Sequence, residues 1–219
     1  MELHNSLDLF RALERLNLLE NSPPMWWPAY GTFEVVVGAI LTQNTQWSRV
    51  EISLDNLRKR KLFSLELLSQ CDSEVLMELI RLSGLFKTKA QTLIGLSQAI
   101  CDEFGDFESF SLTVDRDWLL SQKGIGPETA DSILCYACKR PVMVVDAYTA
   151  RLLREFGYEF ECYDDLQEWC EYGLREMNND SELATFFAHF HGMIVEYVKQ
   201  NANGKAVILS LLLDKLQGE

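Results

Sequence analysis

At 219 residues with 47% apolar content, the chain can build a real core as one large domain or two small ones. Its formal net charge of −13 excludes partners held by bulk electrostatics, such as a nonspecific DNA coat or an anionic membrane. A local phosphate site made from backbone amides adds no formal charge and stays open.

No apolar stretch approaches the roughly 20 residues of a membrane helix, and the N-terminus lacks a signal-peptide pattern, so a cytoplasmic location is expected. The cysteines Cys71, Cys101, Cys135, Cys138, Cys162 and Cys170 show no secreted-type spacing and are expected to be free thiols, mostly buried.

In chain order the periodicity is helical. Leu7, Phe10, Leu13, Leu16 and Leu19 predict an N-terminal helix; Phe33, Val36, Val37, Ile40 and Leu41 form a second apolar face, and Val75, Leu76, Leu79, Ile80 and Leu82 a third. No strand alternation is apparent, so an all-α fold of roughly ten or more helices is expected. Gly84, Gly105, Gly124, Gly126 and Gly157 fall between the periodic stretches, where a helix end or turn takes a residue free to adopt positive φ.

The stretch LSQKGIGPETADSIL, residues 120–134, predicts a helical hairpin: Trp118, Leu119 and Leu120 close one helix, Lys123, Gly124, Ile125 and Gly126 turn the chain, and Pro127 opens the next. Amides at Gly124 and Gly126, with no side chain in the way, could receive a phosphate, although an ordinary helical turn has the same pattern. Pro141 then ends the second helix, an apolar run follows, and Asp146 opens another amphipathic helix, either as a plain N-cap or as a functional carboxylate.

The pattern LxxKGIGxxTAxxIL followed by PVMVVDAYTARLLREFG resembles the signature of the helix-hairpin-helix DNA glycosylases of the endonuclease III superfamily. GAILTQNTQWSRV at 38–50, SGLFKTKAQTL at 83–93 and FHGMIVEY at 190–197 resemble further segments of that family in the same order. The resemblance implies a six-helix barrel over 30–138, with the helix-hairpin-helix at about 112–137. Beside it stands a second helical lobe from 1–29 and 139–219, with the active cleft between them. It makes Asp146 the catalytic carboxylate and Gln43 the residue that fills the gap left by an extruded base. Lys123, Gly124, Ile125 and Gly126 become the phosphate anchor, with a monovalent cation at the hairpin when DNA is bound.

Bifunctional members carry a lysine where this chain has Glu128, so the resemblance implies hydrolysis without strand cleavage; Lys123 is the one nearby amine, and the hairpin gives it a phosphate to assist instead. No cysteine follows Cys170, and Glu196 stands about where a cluster ligand would be, so no iron–sulfur cluster is expected. Such a chain, with MWWPAYGTFE before the first barrel helix, is most similar to the bacterial 3-methyladenine DNA glycosylases, although Met193 stands where relatives have a lysine.

Trp26, Trp27, Pro28 and Trp47 would then line the base pocket, where aromatic faces favour a cationic methylated purine, core packing being the alternative for each tryptophan. His189 and His191 point to different sides of a helix and are read as core or capping residues, Lys199 as solvated, and Tyr148 as either a cleft or a supporting residue. The expected partner is double-stranded DNA containing alkylated bases, bound by a monomer and not at a membrane. A mismatch thymine or uracil glycosylase of the same fold and a noncatalytic helix-hairpin-helix DNA-binding protein are the competing readings. The tryptophans argue against the first and Asp146 against the second.

Overall fold

The computed structural model describes residues 3–176 and 180–217. The chain divides into two compact units, one formed by Ala29–Lys139 and the other by Met1–Pro28 together with Arg140–Glu219. Among the described residues there are thirteen α-helices, so the fold is all-α as expected.

Helix α1 (Ser6–Glu14) begins at Asn5, whose side chain accepts the Asp8 N–H at 2.9 Å, and buries Leu9, Phe10, Ala12 and Leu13. The periodicity expected through Leu19 stops sooner, because Asn17 takes a left-handed conformation at φ 52°. Leu16 and Leu19 nonetheless pack against the core from the following turns.

The contiguous unit is organised around α2 (Phe33–Thr42), buried on nearly every side. It is followed by α3 (Trp47–Lys59), α4 (Leu65–Ser69), α5 (Ser73–Leu79), a 3-10 turn at Arg81–Ser83, and the long α6 (Phe86–Phe104). Next come α7 (Phe107–Thr113), α8 (Arg116–Ser121) and α9 (Pro127–Ser132). Ser64, Asp72, Asp106 and Asp115 cap α4, α5, α7 and α8 by accepting first-turn amides, which explains how such short helices are delimited. The α9 helix runs into a π-helical turn, Ile133–Ala137, in which the Cys138 N–H reaches back to the Ile133 carbonyl at 2.9 Å.

In the other unit, α10 (Ala147–Glu155), α11 (Tyr163–Arg175), α12 (Asp180–Asn201) and α13 (Ser210–Gln217) assemble with α1, which packs on α11, α12 and α13. Phe10 meets Phe186 and Phe190 edge-on, with centroids 5.5 and 5.6 Å apart. Two strands, β1 (Ala202–Asn203) and β2 (Ala206–Val207), pair antiparallel around Gly204. They are too short to produce the alternation by which a strand is read from sequence. The Arg151 guanidinium donates to the carbonyls of Gly204, Lys205 and Ala206 at 2.6, 2.8 and 2.7 Å and secures this hairpin.

All six cysteines are free: Cys135, Cys138 and Cys170 are buried, Cys71 and Cys101 half-buried, and Cys162 exposed. No helix among the described residues is long and apolar enough to cross a membrane.

Candidate active site

The apolar run before Asp146 is an extended segment threaded through the core of its unit. Met143, Val144 and Val145 are buried, so their backbone groups need partners there. Helix α11 supplies them. The Met143 N–H donates to Glu171 Oε1 at 2.9 Å, the Met143 carbonyl accepts from Gln167 Nε2 at 2.6 Å, and the Val145 N–H reaches the Tyr163 hydroxyl at 3.4 Å.

Asp146, at the end of that run, is the N-cap of α10. Its Oδ1 accepts the Thr149 N–H at 2.9 Å and the Thr149 hydroxyl at 3.0 Å, closing a capping box. Capping occupies one oxygen. The other, Oδ2, lies 3.4 Å from His191 Nε2, and the Asp146 side chain is 13% exposed. Burial opposes the charged form, but the hydrogen bond and charge of His191, with the amide and hydroxyl of Thr149, outweigh it and hold the carboxyl below its ordinary value. The helix N-terminus favours the anion as well. This carboxylate is therefore ionised at neutral pH, with one oxygen free of the cap.

His191, on α12, is 3% exposed and meets the Trp26 ring edge-on at 5.0 Å. Trp26 lies directly on the α12 backbone: a Cβ built on Gly192 would be 2.5 Å from Trp26 Cγ, so only glycine fits beneath that ring. The indole N–H donates to Glu196 Oε1 at 3.1 Å, the same oxygen pairs with Lys199 Nζ at 3.2 Å, and Nζ stands 5.8 Å from the Trp26 centroid. Trp27 is 6% exposed and packs edge-on against Trp26 at 6.0 Å; Pro28 follows it, half-buried. Met193 is 5% exposed within the apolar core, and His189 Nε2 bonds the Pro24 carbonyl at 2.9 Å. Tyr148 is exposed on α10. Asp146, Trp26, Trp27 and Pro28 thus belong to one unit.

Gln43, Trp47, Lys123, Gly124, Ile125 and Gly126 belong to the other. The predicted hairpin forms between α8 and α9, with Pro127 at the start of α9. Ile125 is 6% exposed and plugs the turn into the core, while its N–H bonds the Gln122 carbonyl at 3.1 Å. The two glycines differ from the expectation that both need positive φ. Gly124 does, at φ 85°, and a Cβ there would approach Thr92 Oγ1 to 2.5 Å; Gly126 is the N-cap at φ −102°, with open space where a Cβ would be.

Across the hairpin, Arg116 at the head of α8 donates from Nε to Asp131 Oδ1 at 2.9 Å and from its terminal nitrogen to Oδ2 at 3.2 Å. The two helices are therefore clamped by a bidentate pair whose carboxylate is fully buried. Gln43, which ends α2, reaches the hairpin with its side chain: Nε2 donates to the Gly124 carbonyl at 3.0 Å and to the Thr129 hydroxyl at 2.9 Å. Trp47 opens α3, half-buried, and Lys123 and Glu128 are exposed.

Three residues to which the sequence attaches no chemical role become notable. His191, expected as a core or capping residue within FHGMIVEY, instead faces the Asp146 carboxylate. Lys89 looks like a surface lysine of α6 yet is 3% exposed. Leu85, 69% exposed, precedes α6 in a left-handed conformation at φ 43°. A large apolar side chain held outward on strained backbone is unusual.

The HhH-GPD superfamily base excision DNA repair protein profile matches residues 37–165. The crystal structure of the H. pylori 3-methyladenine DNA glycosylase MagIII, bound to 1,N6-ethenoadenine, superposes with a TM-score of 0.87 at 42% identity, covering 91% of this chain and 100% of that one. A Methanocaldococcus jannaschii protein assigned as a DNA repair glycosylase is 40% identical over 190 residues, 83% of each chain. A trapped endonuclease III–DNA covalent intermediate shares the fold, with a TM-score of 0.71 at 16% identity over 94% of this chain and 91% of that one.

The chain belongs to the HhH-GPD superfamily of base excision DNA repair proteins. It is a DNA glycosylase of base excision repair. Among the described residues no group of three or more His, Cys, Asp or Glu side chains is arranged to hold a metal ion.

Proposed function

We propose that this glycosylase is monofunctional and releases alkylated purines such as 3-methyladenine from double-stranded DNA by hydrolysis, acting as a monomer without an iron–sulfur cluster. The observation that carries the substrate class is the likeness to the H. pylori 3-methyladenine DNA glycosylase. The amides of Gly124 and Gly126 anchor a phosphate, which lets an acidic chain hold DNA without a basic surface. A monovalent cation held by carbonyl oxygens of the hairpin turn would neutralise that phosphate beside Lys123.

Extrusion of the nucleotide costs a few kcal/mol. Gln43 leaves its bonds to Gly124 and Thr129 and fills the gap, and the exposed Leu85 acts beside it as an apolar wedge. The extruded base stacks on Trp26, with Trp27 and Pro28 beside it in the same unit. An N-methylated cationic purine departs with the glycosidic electron pair as a neutral molecule, so no strong acid is required. The carboxylate of Asp146 stabilises the positive charge that develops on the sugar and orients the water that adds to C1′, accepting its proton; His191 holds Oδ2 in place.

One gel assay tests the reading, using duplexes that carry a single 3-methyladenine analogue, uracil or mismatched thymine, each with and without alkali. Breaks on the alkylated duplex that need alkali are expected. Preferential release of uracil or thymine would replace the substrate class, and no release from any duplex would leave a noncatalytic DNA-binding protein.

Two further outcomes are expected. Borohydride should trap no enzyme–DNA adduct, because Glu128 has no amine with which to form an imine; a trapped adduct would mean that Lys123 or another lysine reaches C1′. Trp26→Leu should penalise a cationic methylated base over a neutral purine of similar shape by ~1–2 kcal/mol in kcat/KM, the attraction of an aromatic face for a desolvated cation. Lys199 already places a cation over that ring. Single-turnover excision of both lesions by Trp26→Leu, Trp27→Leu and Trp47→Leu makes the comparison, and equal losses throughout would remove the charge argument.

A further inference from the structure

We infer that Lys89 is a positioning residue for DNA gap filling: its ammonium group, buried under the loops that present Gln43 and Leu85, fixes the backbone from which those side chains act. This rests on the gap-filling role proposed for Gln43. Lys89 Nζ stands 2.8 Å from the Leu41 carbonyl, 2.9 Å from the Gln43 carbonyl, 2.9 Å from the Thr45 hydroxyl and 2.6 Å from the Ser83 carbonyl. Thr45 in turn donates to the Gln43 carbonyl at 3.1 Å and closely approaches the Ser83 carbonyl. One cation therefore gathers the end of α2, the 42–46 loop and the 3-10 turn.

Each loop contains a strained residue. Asn44 has φ 51° and Leu85 φ 43°, conformations that persist in non-glycine residues only where the surroundings over-determine them. Lys89 supplies that constraint. An ammonium buried without a carboxylate is costly, and a solvated lysine would serve the helix equally well.

No ion pair among the described residues includes Lys89. The charged side chains of the elements around it are engaged elsewhere or exposed: Glu34 pairs with Arg58, Arg81 pairs with Glu78 at 3.3 Å, and Arg49 and Lys87 are exposed. The groups that face Nζ, three carbonyls and a hydroxyl, do not titrate in the range that matters.

Burial pushes the pKa of Lys89 down from 10.5 to about 8. Above that pH the neutral amine has two protons for four acceptors, and the loops loosen. The sign for stability is the reverse. Because the unfolded chain binds the proton more tightly, the contribution of Lys89 to stability rises with pH between about 8 and 10.5. Loop order and global stability thus move in opposite directions with pH.

The experiment places 2-aminopurine beside the lesion to report extrusion and measures single-turnover excision for wild type, Gln43→Ala, Lys89→Met and the double variant at pH 7. Each single variant should lose about tenfold or more in both readouts, binding of undamaged duplex should stay within about threefold, and the double should be no worse than the worse single, as coupled residues behave. Lys89→Met within about twofold of wild type, or a double variant whose losses multiply, would overturn the role of Lys89. A silent Gln43→Ala would locate the failure in the gap-filling reading and remove the proposal with it.

Should Lys89→Met fail to fold, wild type decides. Its extrusion signal should fall about fivefold or more between pH 7 and 9.5 without a drop in Tm beyond that of Gln43→Ala; a flat signal overturns the proposal.

Discussion

Asp146→Asn should lower single-turnover base release by about 10³-fold or more while binding of the damaged duplex stays within about threefold. Asparagine caps helices as well as aspartate does, so its side-chain oxygen can still accept the Thr149 N–H and α10 should keep its start. What disappears is the negative charge on the oxygen that the cap leaves free. Thermal melting unchanged within a few degrees is the necessary control. Since the cost of burial is outweighed by His191 and Thr149, which hold the Asp146 carboxyl below its ordinary value, any limb in the rate profile near neutral pH belongs to another group. Its own contribution to stability is present at neutral pH and is lost as pH falls through that lowered pKa. Activity retained within a few-fold would reduce Asp146 to a cap.

Arg116→Leu should destabilise the chain by about 3–5 kcal/mol, because the fully buried Asp131 carboxyl would lose the guanidinium that holds both its oxygens. At 2–4 °C per kcal/mol for a protein of this size, that is a fall in Tm of roughly 10 °C. The pair spans α8 and α9, so weaker binding of undamaged duplex should accompany the loss as the hairpin amides lose their fixed spacing. Pairing Arg116→Leu with Asp131→Leu should recover part of the stability, since two apolar residues leave no stranded charge. A single-variant loss below about 1 kcal/mol would show that the pair is a surface contact in energetic terms.

The helical hairpin was legible because its signals are local: Pro127 begins α9, Gly124 adopts the left-handed conformation, and apolar spacing marks both flanks. The cap at Asp146 was legible for the same reason. Long-range relations were not. Lys89 stands out in the sequence only as the lysine of a family-like segment, SGLFKTKAQTL, and only the fold carries the carbonyls of residues 41, 43 and 83 to its nitrogen. His191 reads as a core histidine until α12 sets it beside a carboxylate 45 positions earlier. The π-helical turn escapes periodicity because it shifts the register by one residue within a wholly buried stretch. Gly126 shows the limit even of a local rule, since at φ −102°, with open space where a Cβ would be, the turn itself demands no glycine there.

The way the chain is divided has a consequence for its biosynthesis. Everything required by the unit Ala29–Lys139 is made in one uninterrupted passage, so its local helices can close on one another as they emerge. Helix α1 is made before that unit and covered only after it. Its apolar side, Leu9, Phe10 and Leu13, has its partners on α11, α12 and α13, which follow only after the whole contiguous unit has been translated. At 5–20 residues per second that interval is on the order of 10 s. For that time the newborn chain carries an uncovered amphipathic helix ahead of a finished helical body, a form open to chaperones and to association with other chains, and the carboxylate at residue 146 gains its histidine only when α12 arrives to end the wait.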